Sequence, residues 1–325
     1  MLSRSRLTLA VSTLAHFIHD GFSDALYVLL PVWAREFHLG YAHAGILKML
    51  YTGGMSLSQV PLGLAAERRG ERMLLGMGTL ITACCFLAVA AWAGGFPSLA
   101  VLLMTAGVAS GVQHPLASSL VSKAYETGAR RAALGTYNFS GDIGKVAAAG
   151  AVGLATAAFG WRAACAGYGA AGLVAGVVVW GTLARLGAGD PGPVVAQGAG
   201  ASRWGIRDGR GFMSLTAIGL IDTATRSGFL MFLPFALVAK GSTTTGVGAA
   251  LGLVFAGGAA GKLVCGLLAE RLGIVRTVVI TEAVTALASW RSCRRRSRWS
   301  SRCSSRLGLP STERRPCSTQ RWRIW

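Results

Sequence analysis

Apolar residues run through this chain in long stretches instead of the spaced stripes of a water-facing helix. A membrane-spanning helix needs about 20 mostly apolar residues, and nine such stretches are present, at 7–33, 42–66, 73–94, 98–124, 132–159, 163–186, 212–239, 243–269 and 275–290. The polar breaks between them are short except at 187–211, where Asp190, Pro191, Gly192 and Pro193 precede Arg203, Arg207 and Arg210. The pattern predicts an all-α membrane protein with a six-helix N-terminal half over 1–186, an inter-half linker over 187–211 and three further spans within 212–290.

Composition agrees: 52% of residues are hydrophobic and 14% charged, against about 25% charged in soluble domains. The net charge of +19 does not point to nucleic acid, because Lys and Arg fall between the apolar runs and not along one face. The first run holds His16, His19, Asp20 and Asp24 and is read as a retained span, not a cleaved signal. Cys84, Cys85, Cys165 and Cys265 sit inside apolar runs as small hydrophobes, with no CxxC pair or His/Cys ligand cluster, so neither a metal nor a cofactor is implied. No nucleophile elbow, P-loop or HExxH occurs, which argues against an enzyme.

Placing the N-terminus in the cytoplasm puts fourteen basic residues on that side (Arg4, Arg6, Arg68, Arg69, Arg72, Lys123, Arg130, Arg131, Arg185, Arg203, Arg207, Arg210, Arg271, Arg276) and three outside (Arg35, Arg162, Lys240). A shift of 203 residues superposes Pro31 on Pro234, Gly45 on Gly248, Gly63 on Gly266, Glu67 on Glu270, Arg68 on Arg271 and Gly70 on Gly273, so the two halves read as copies. After Trp290 the vocabulary changes abruptly. Residues 291–325 carry 11 Arg, no Lys and one acid, Glu313. We read this as a change of reading frame near residue 290, which would leave the second copy incomplete and the chain a poor transporter; the alternative is a basic, disordered tail that binds anionic lipid.

The segment Gly63-Leu64-Ala65-Ala66-Glu67-Arg68-Arg69-Gly70-Glu71-Arg72 resembles the signature loop of the major facilitator superfamily, and Gly266-Leu267-Leu268-Ala269-Glu270-Arg271-Leu272-Gly273 resembles its second copy. The resemblance implies a twelve-helix bundle, of which six plus three helices are present here, working by alternating access driven by an ion gradient. It also implies a conformational latch at Gly63, Glu67, Arg68, Gly70 and Arg72, repeated at Gly266, Glu270, Arg271 and Gly273. Glu67 stands where the family usually has Asp. His16-Phe17 with Asp20 and Pro31, and Gly111-Val112-Gln113-His114-Pro115, resemble the group that includes fosmidomycin-resistance drug exporters. Many exporters carry a Gly-Pro-rich fifth span. Here Gly141, Gly144 and Gly150 lack an accompanying proline, which counts against antiport.

Ionisable residues inside a bilayer are costly and mark function by default. His16, Asp20, Asp24 and Tyr27 share one face of the first span, with His19 on its flank. A carboxylate removed from water can exchange protons near neutrality and an imidazole titrates there already, so Asp20 or Asp24 is read as the proton carrier, tuned by the histidines. Asp20→Asn is then expected to abolish gradient-driven transport. Asn138, Asp142 and Lys145, and Asp222 with Arg226, lie at helical spacing; they are read as cavity residues with Tyr27 and His114, or equally as structural ion pairs. Pro115 should bend the helix beside His114. Lys48 and Lys262 are read as structural, snorkelling towards the interfaces. Together these features predict a monomeric, multi-pass inner-membrane transporter that moves a small molecule, by proton-coupled efflux of a drug or metabolite. Uptake by symport and a non-functional remnant are the alternatives, and the implied partners are solute, protons and the lipid bilayer.

Overall fold

The structure, a computed structural model, describes residues 3–126, 129–191, 208–273 and 275–288, and all regular secondary structure among them is helical. Most of the predicted linker, at 192–207, and the basic tail at 291–325 lie outside the described residues. The helices are α1 (Arg4–Glu36), α2 (Tyr41–Arg69), α3 (Glu71–Trp92), α4 (Phe96–Ser110), α5 (Gln113–Ala124), α6 (Arg130–Leu186), α7 (Gly209–Ala239) and α8 (Thr244–Leu272), with a further helical stretch over 275–288. Among the described residues, five segments are long and apolar enough to cross a membrane: α3, the α4–α5 pair, α6, α7 and α8. The polar stripe of α1 keeps it out of that group despite its 33 residues.

Two departures from nine simple spans have local causes. The fourth span is broken at Gly111 and Val112 into α4 and α5. Pro115 has no N–H to offer the carbonyl one turn before it, so the helical ladder cannot run through. The fifth and sixth spans form one 57-residue element, α6, which would be about 85 Å long if straight. Both of its arms nevertheless reach the same two turns of α1. Ser140 Oγ donates to the Thr13 carbonyl and Tyr168 Oη to that of Ile18, each at 3.2 Å. The chain therefore folds back at Gly160, whose φ of +83° breaks the helix where a side chain would be strained.

Small residues let these helices close on one another, the usual device where lipid offers no hydrophobic drive. A Cβ on Gly144 would run into the backbone of Phe17, and one on Gly107 into that of Tyr51, so α1–α6 and α2–α4 are near-backbone contacts. Phe22, Leu26, Trp33, Tyr51, Phe86, Leu99 and Leu103 fill the core between them. α8 adds Val247, Leu251, Phe255 and Ala259, one per turn, and a Cβ on Gly153 of α6 would stand 3.1 Å from the Cα of Gly248. α7 buries little beyond Met231 and Pro234.

The chain divides into two compact units between Ala259 and Ala260. In the second, Gly273 (φ +81°) ends α8 with its N–H on the Ala269 carbonyl at 3.0 Å. In the first, Gly70 (φ +86°) ends α2 with its N–H on the Ala66 carbonyl at 2.8 Å. Both glycines thus have a positive φ that side chains avoid.

Candidate functional site

The buried charges gather on α1, where α5 and α6 close over it. His16, Asp20, Asp24 and Tyr27 are all buried on this helix, as the sequence spacing predicts. Asp20, 7% exposed, is the hub. Its Oδ2 lies 3.3 Å from His16 Nε2 and 3.2 Å from Lys145 Nζ, and its Oδ1 lies 3.7 Å from His114 Nε2. Lys145 also reaches Asp142 Oδ1 at 3.5 Å, so one ammonium stands between two carboxylates. His114, in the first turn of α5 just past Gly111 and Val112, reaches this hub. Gly141 leaves the room: a Cβ there would stand 2.6 Å from both Asp20 Oδ2 and His16 Nε2.

The orientation of His16 follows from its partners. Its Nδ1 lies 2.8 Å from the Tyr137 carbonyl, which can only accept, so Nδ1 carries a proton and donates it. Nε2 is therefore the variable nitrogen, turned toward Asp20. The ring stacks on Tyr137 at 4.3 Å between centroids and meets His114 edge-on at 5.2 Å. The ligating atoms of His16, Asp20 and His114 lie within 4.8 Å of one another, a trio with metal-ligand chemistry that the sequence pattern did not suggest.

His19 points the other way. Its Nε2 lies 2.9 Å from Thr79 Oγ1, whose own hydroxyl donates to the Leu75 carbonyl, and its Nδ1 lies 2.8 Å from Ser110 Oγ, which accepts from Tyr51. Each hydroxyl has one proton, so the pattern closes with Nε2 donating and Nδ1 accepting. His19 joins α1 to α3 and α4 and stands apart from the hub.

Asp24, one turn beyond Asp20, is buried at 9% exposure and makes no hydrogen bond or ion pair among the described residues. Lys48, Lys145 and Arg226 surround it within electrostatic reach. Lys48 was expected to snorkel; it is instead buried, donating to the Ser23 carbonyl at 2.6 Å and to Ser23 Oγ at 3.2 Å with its ammonium 4.2 Å from the Tyr27 ring centroid. Its stem starts seven residues into α2 and runs inward against α1, so the interface is not its nearest polar refuge.

Other expected residues fall outside this cluster. Asn138 is exposed on α6, although Asp142 and Lys145, at the same helical spacing, take part in the hub. Asp222 and Arg226 are exposed on α7 and form no ion pair with each other. Glu67 and Arg68 are exposed, as are Gly266, Glu270, Arg271 and Gly273, and Lys262 is exposed on α8. In the first loop copy the contacts belong to Glu71 and Arg72. Glu71 Oε1 accepts from Ser119 Oγ at 2.5 Å and Lys123 Nζ at 2.8 Å; Arg72 meets Asp190 at 2.6 Å, and its N–H donates to the Gly189 carbonyl at 3.0 Å. Glu71, Ser119, Lys123 and Asp190 were not singled out from sequence. The available signal was the acid at residue 71 beside the bases Arg69 and Arg72.

The model of the Major Facilitator Superfamily matches residues 12–292. No curated protein matches the chain. Among solved structures, the chain resembles a bacterial homologue of the human lysosomal transporter Spinster in two inward-facing forms, unoccupied and occupied. The TM-scores are 0.66 and 0.68 at 17% and 18% identity, covering 83% and 84% of this chain and 64% and 63% of the other. It also resembles a bacterial homologue of the human drug peptide transporters PepT1 and PepT2, with TM-score 0.52 and 15% identity over 83% of this chain and 55% of that one. The chain thus spans less than two thirds of the length of these relatives, and likeness at such identity is likeness of fold. The family match covers most of the sequence and coincides with its helices: the chain belongs to the Major Facilitator Superfamily.

Proposed function

We propose that the protein is a proton-coupled secondary transporter of a small organic solute, in which Asp24 carries the proton and Asp20 anchors a fixed charge network. The observation behind this reading is that two buried carboxylates one helical turn apart have opposite surroundings. Asp20 has His16, His114 and Lys145 around it; Asp24 has no hydrogen bond or ion pair. An isolated buried carboxylate is expensive as an anion and relieves that cost by taking a proton or drawing in a cation. Lys48 on α2 and Arg226 on α7 are in reach to be that cation. Movement of α7 against α1 then exchanges a proton on Asp24 for the guanidinium of Arg226, which couples protonation to alternating access. Arg226, exposed and not paired with Asp222, is also the group to meet an anionic solute.

Efflux of a drug or metabolite across the inner membrane, with the N-terminus in the cytoplasm and the chain acting as a monomer, is the favoured form. The resemblance of residues 16–31 and 111–115 to the fosmidomycin-resistance group and the basic asymmetry of the loops support it. Uptake by symport is favoured instead by the absence of proline around Gly141, Gly144 and Gly150.

Everted vesicles holding an acid interior and an acridine pH dye test both forms with a panel of organic solutes. An antiporter releases interior protons when its solute is added and restores dye fluorescence; a symporter deepens the quench. Asp24→Asn should remove either response. Solute accumulation that needs no pH gradient and survives Asp24→Asn would overturn the proposal.

A further inference from the structure

We infer that His16, Asp20 and His114 form a binding site for one divalent transition-metal ion of the zinc class, distinct from the role given to Asp24. Zinc at 2.0–2.1 Å from tetrahedral ligands sets neighbouring ligand atoms about 3.3 Å apart. His16 Nε2 and Asp20 Oδ2 already stand 3.3 Å apart, and His114 Nε2 is 3.7 Å from Asp20 Oδ1. The three ligating atoms lie within 4.8 Å of one another, so the His114 ring, which is only partly buried, has to move inward on metal binding to complete the set.

The outer surroundings match a ligating imidazole. A metal-bound histidine usually donates its other N–H to a carbonyl or carboxylate, which fixes both tautomer and ring plane. His16 does this through Nδ1 to the Tyr137 carbonyl at 2.8 Å, with Tyr137 stacked on its face. Its Nε2 lone pair is thereby aimed at the point between Asp20 and His114. Two imidazoles and one carboxylate select zinc, copper, nickel or cobalt over magnesium and calcium, which prefer all-oxygen shells. Three protein ligands also leave a fourth position open for water or a solute group.

Lys145 is the competitor, since its ammonium lies 3.2 Å from the same Asp20 oxygen. Asp142 Oδ1, 3.5 Å from that ammonium, gives it a second carboxylate. Metal entry therefore moves Lys145 from Asp20 to Asp142 without stranding a buried charge. A staple of this kind ties α1 to α5 within the first half of the fold and leaves Asp24 uncovered.

Cobalt(II) titration of the 325-residue protein in lipid nanodiscs reads the site directly. One saturable equivalent with the intense visible bands of tetrahedral cobalt, free of thiolate charge transfer and displaced by zinc, is expected. His114→Ala should weaken zinc binding by more than the about 10- to 100-fold that loss of an outer partner costs. Lys145→Ala should tighten it, a gain that misfolding cannot produce. Octahedral or absent cobalt bands, thiolate charge transfer, or an affinity indifferent to both substitutions would overturn the assignment. These readouts involve no transport, so the metal site and the proton-carrier reading of Asp24 stand or fall separately.

Discussion

Offset by 203 residues, α1 and α7 each carry a buried proline near the same end, Pro31 and Pro234. At the positions of His16, Asp20 and Asp24, however, α7 has Gly219, Thr223 and Ser227. α1 holds its charges against α4, α5 and the first arm of α6, where Ser110, His114, Lys145 and Tyr137 supply counter-charge and hydrogen bonds. α7 carries Asp222 and Arg226 on an exposed surface, one residue out of that register. The same helical plan thus serves two purposes. A buried charge is tolerated where neighbouring helices satisfy it, and Asp24, with no hydrogen bond or ion pair among the described residues, is the one we propose to be the movable part.

The sharpest way to break this comparison is to neutralise one acid from each helix. Asp24→Asn should reduce pH-driven solute flux by about 100-fold or more, the scale of losing a positioned proton-transfer group. Asp222→Asn, on the exposed copy, should leave the flux within a factor of two. Equal losses in the two variants would mean that burial on α1 has no special role.

Packing offers the next contrast. Gly144→Ala sets a Cβ against the Phe17 backbone of α1 and should destabilise by about 1–3 kcal/mol, lowering the midpoint of thermal unfolding in detergent. Gly219→Ala on α7 meets nothing within 4 Å and should change stability by no more than about 0.5 kcal/mol.

The two loop copies separate by a smaller margin. Glu71 holds Ser119 and Lys123, so Glu71→Gln should cost about 1 kcal/mol, because Lys123 is largely exposed and its charge is screened. Glu270→Gln, exposed in the second copy, should cost close to nothing in the same melt.

What the sequence displayed and what it hid divide along physical lines. Long apolar runs made the helices legible, and glycine at 70 and 273 marked two equivalent turns, because both signals are local. The α1 stripe was legible for the same reason: four polar residues at helical spacing define a face by themselves. The partners of that face were not, since they depend on which side of α6 meets α1. Asn138 is polar and shares its helical spacing with Asp142 and Lys145, yet of the three only Asp142 and Lys145 take part in the hub while Asn138 is exposed. Likewise the three-ligand trio needs His114, which comes from a different helix, α5, and no local spacing pairs it with Asp20. Glu67 stood at the acidic position of the resemblance, but Glu71 holds the bond, because it begins α3 beside α5 while Glu67 projects from the end of α2.

The measurement closest to the central claim is the pH-induced infrared difference spectrum of the reconstituted protein in the carbonyl region of protonated carboxyl groups. A band that is present in the unmodified protein, persists in Asp20→Asn and disappears in Asp24→Asn is the predicted result. A band that persists in Asp24→Asn and disappears in Asp20→Asn would contradict the account, moving the proton to the carboxylate assigned here as the fixed anchor.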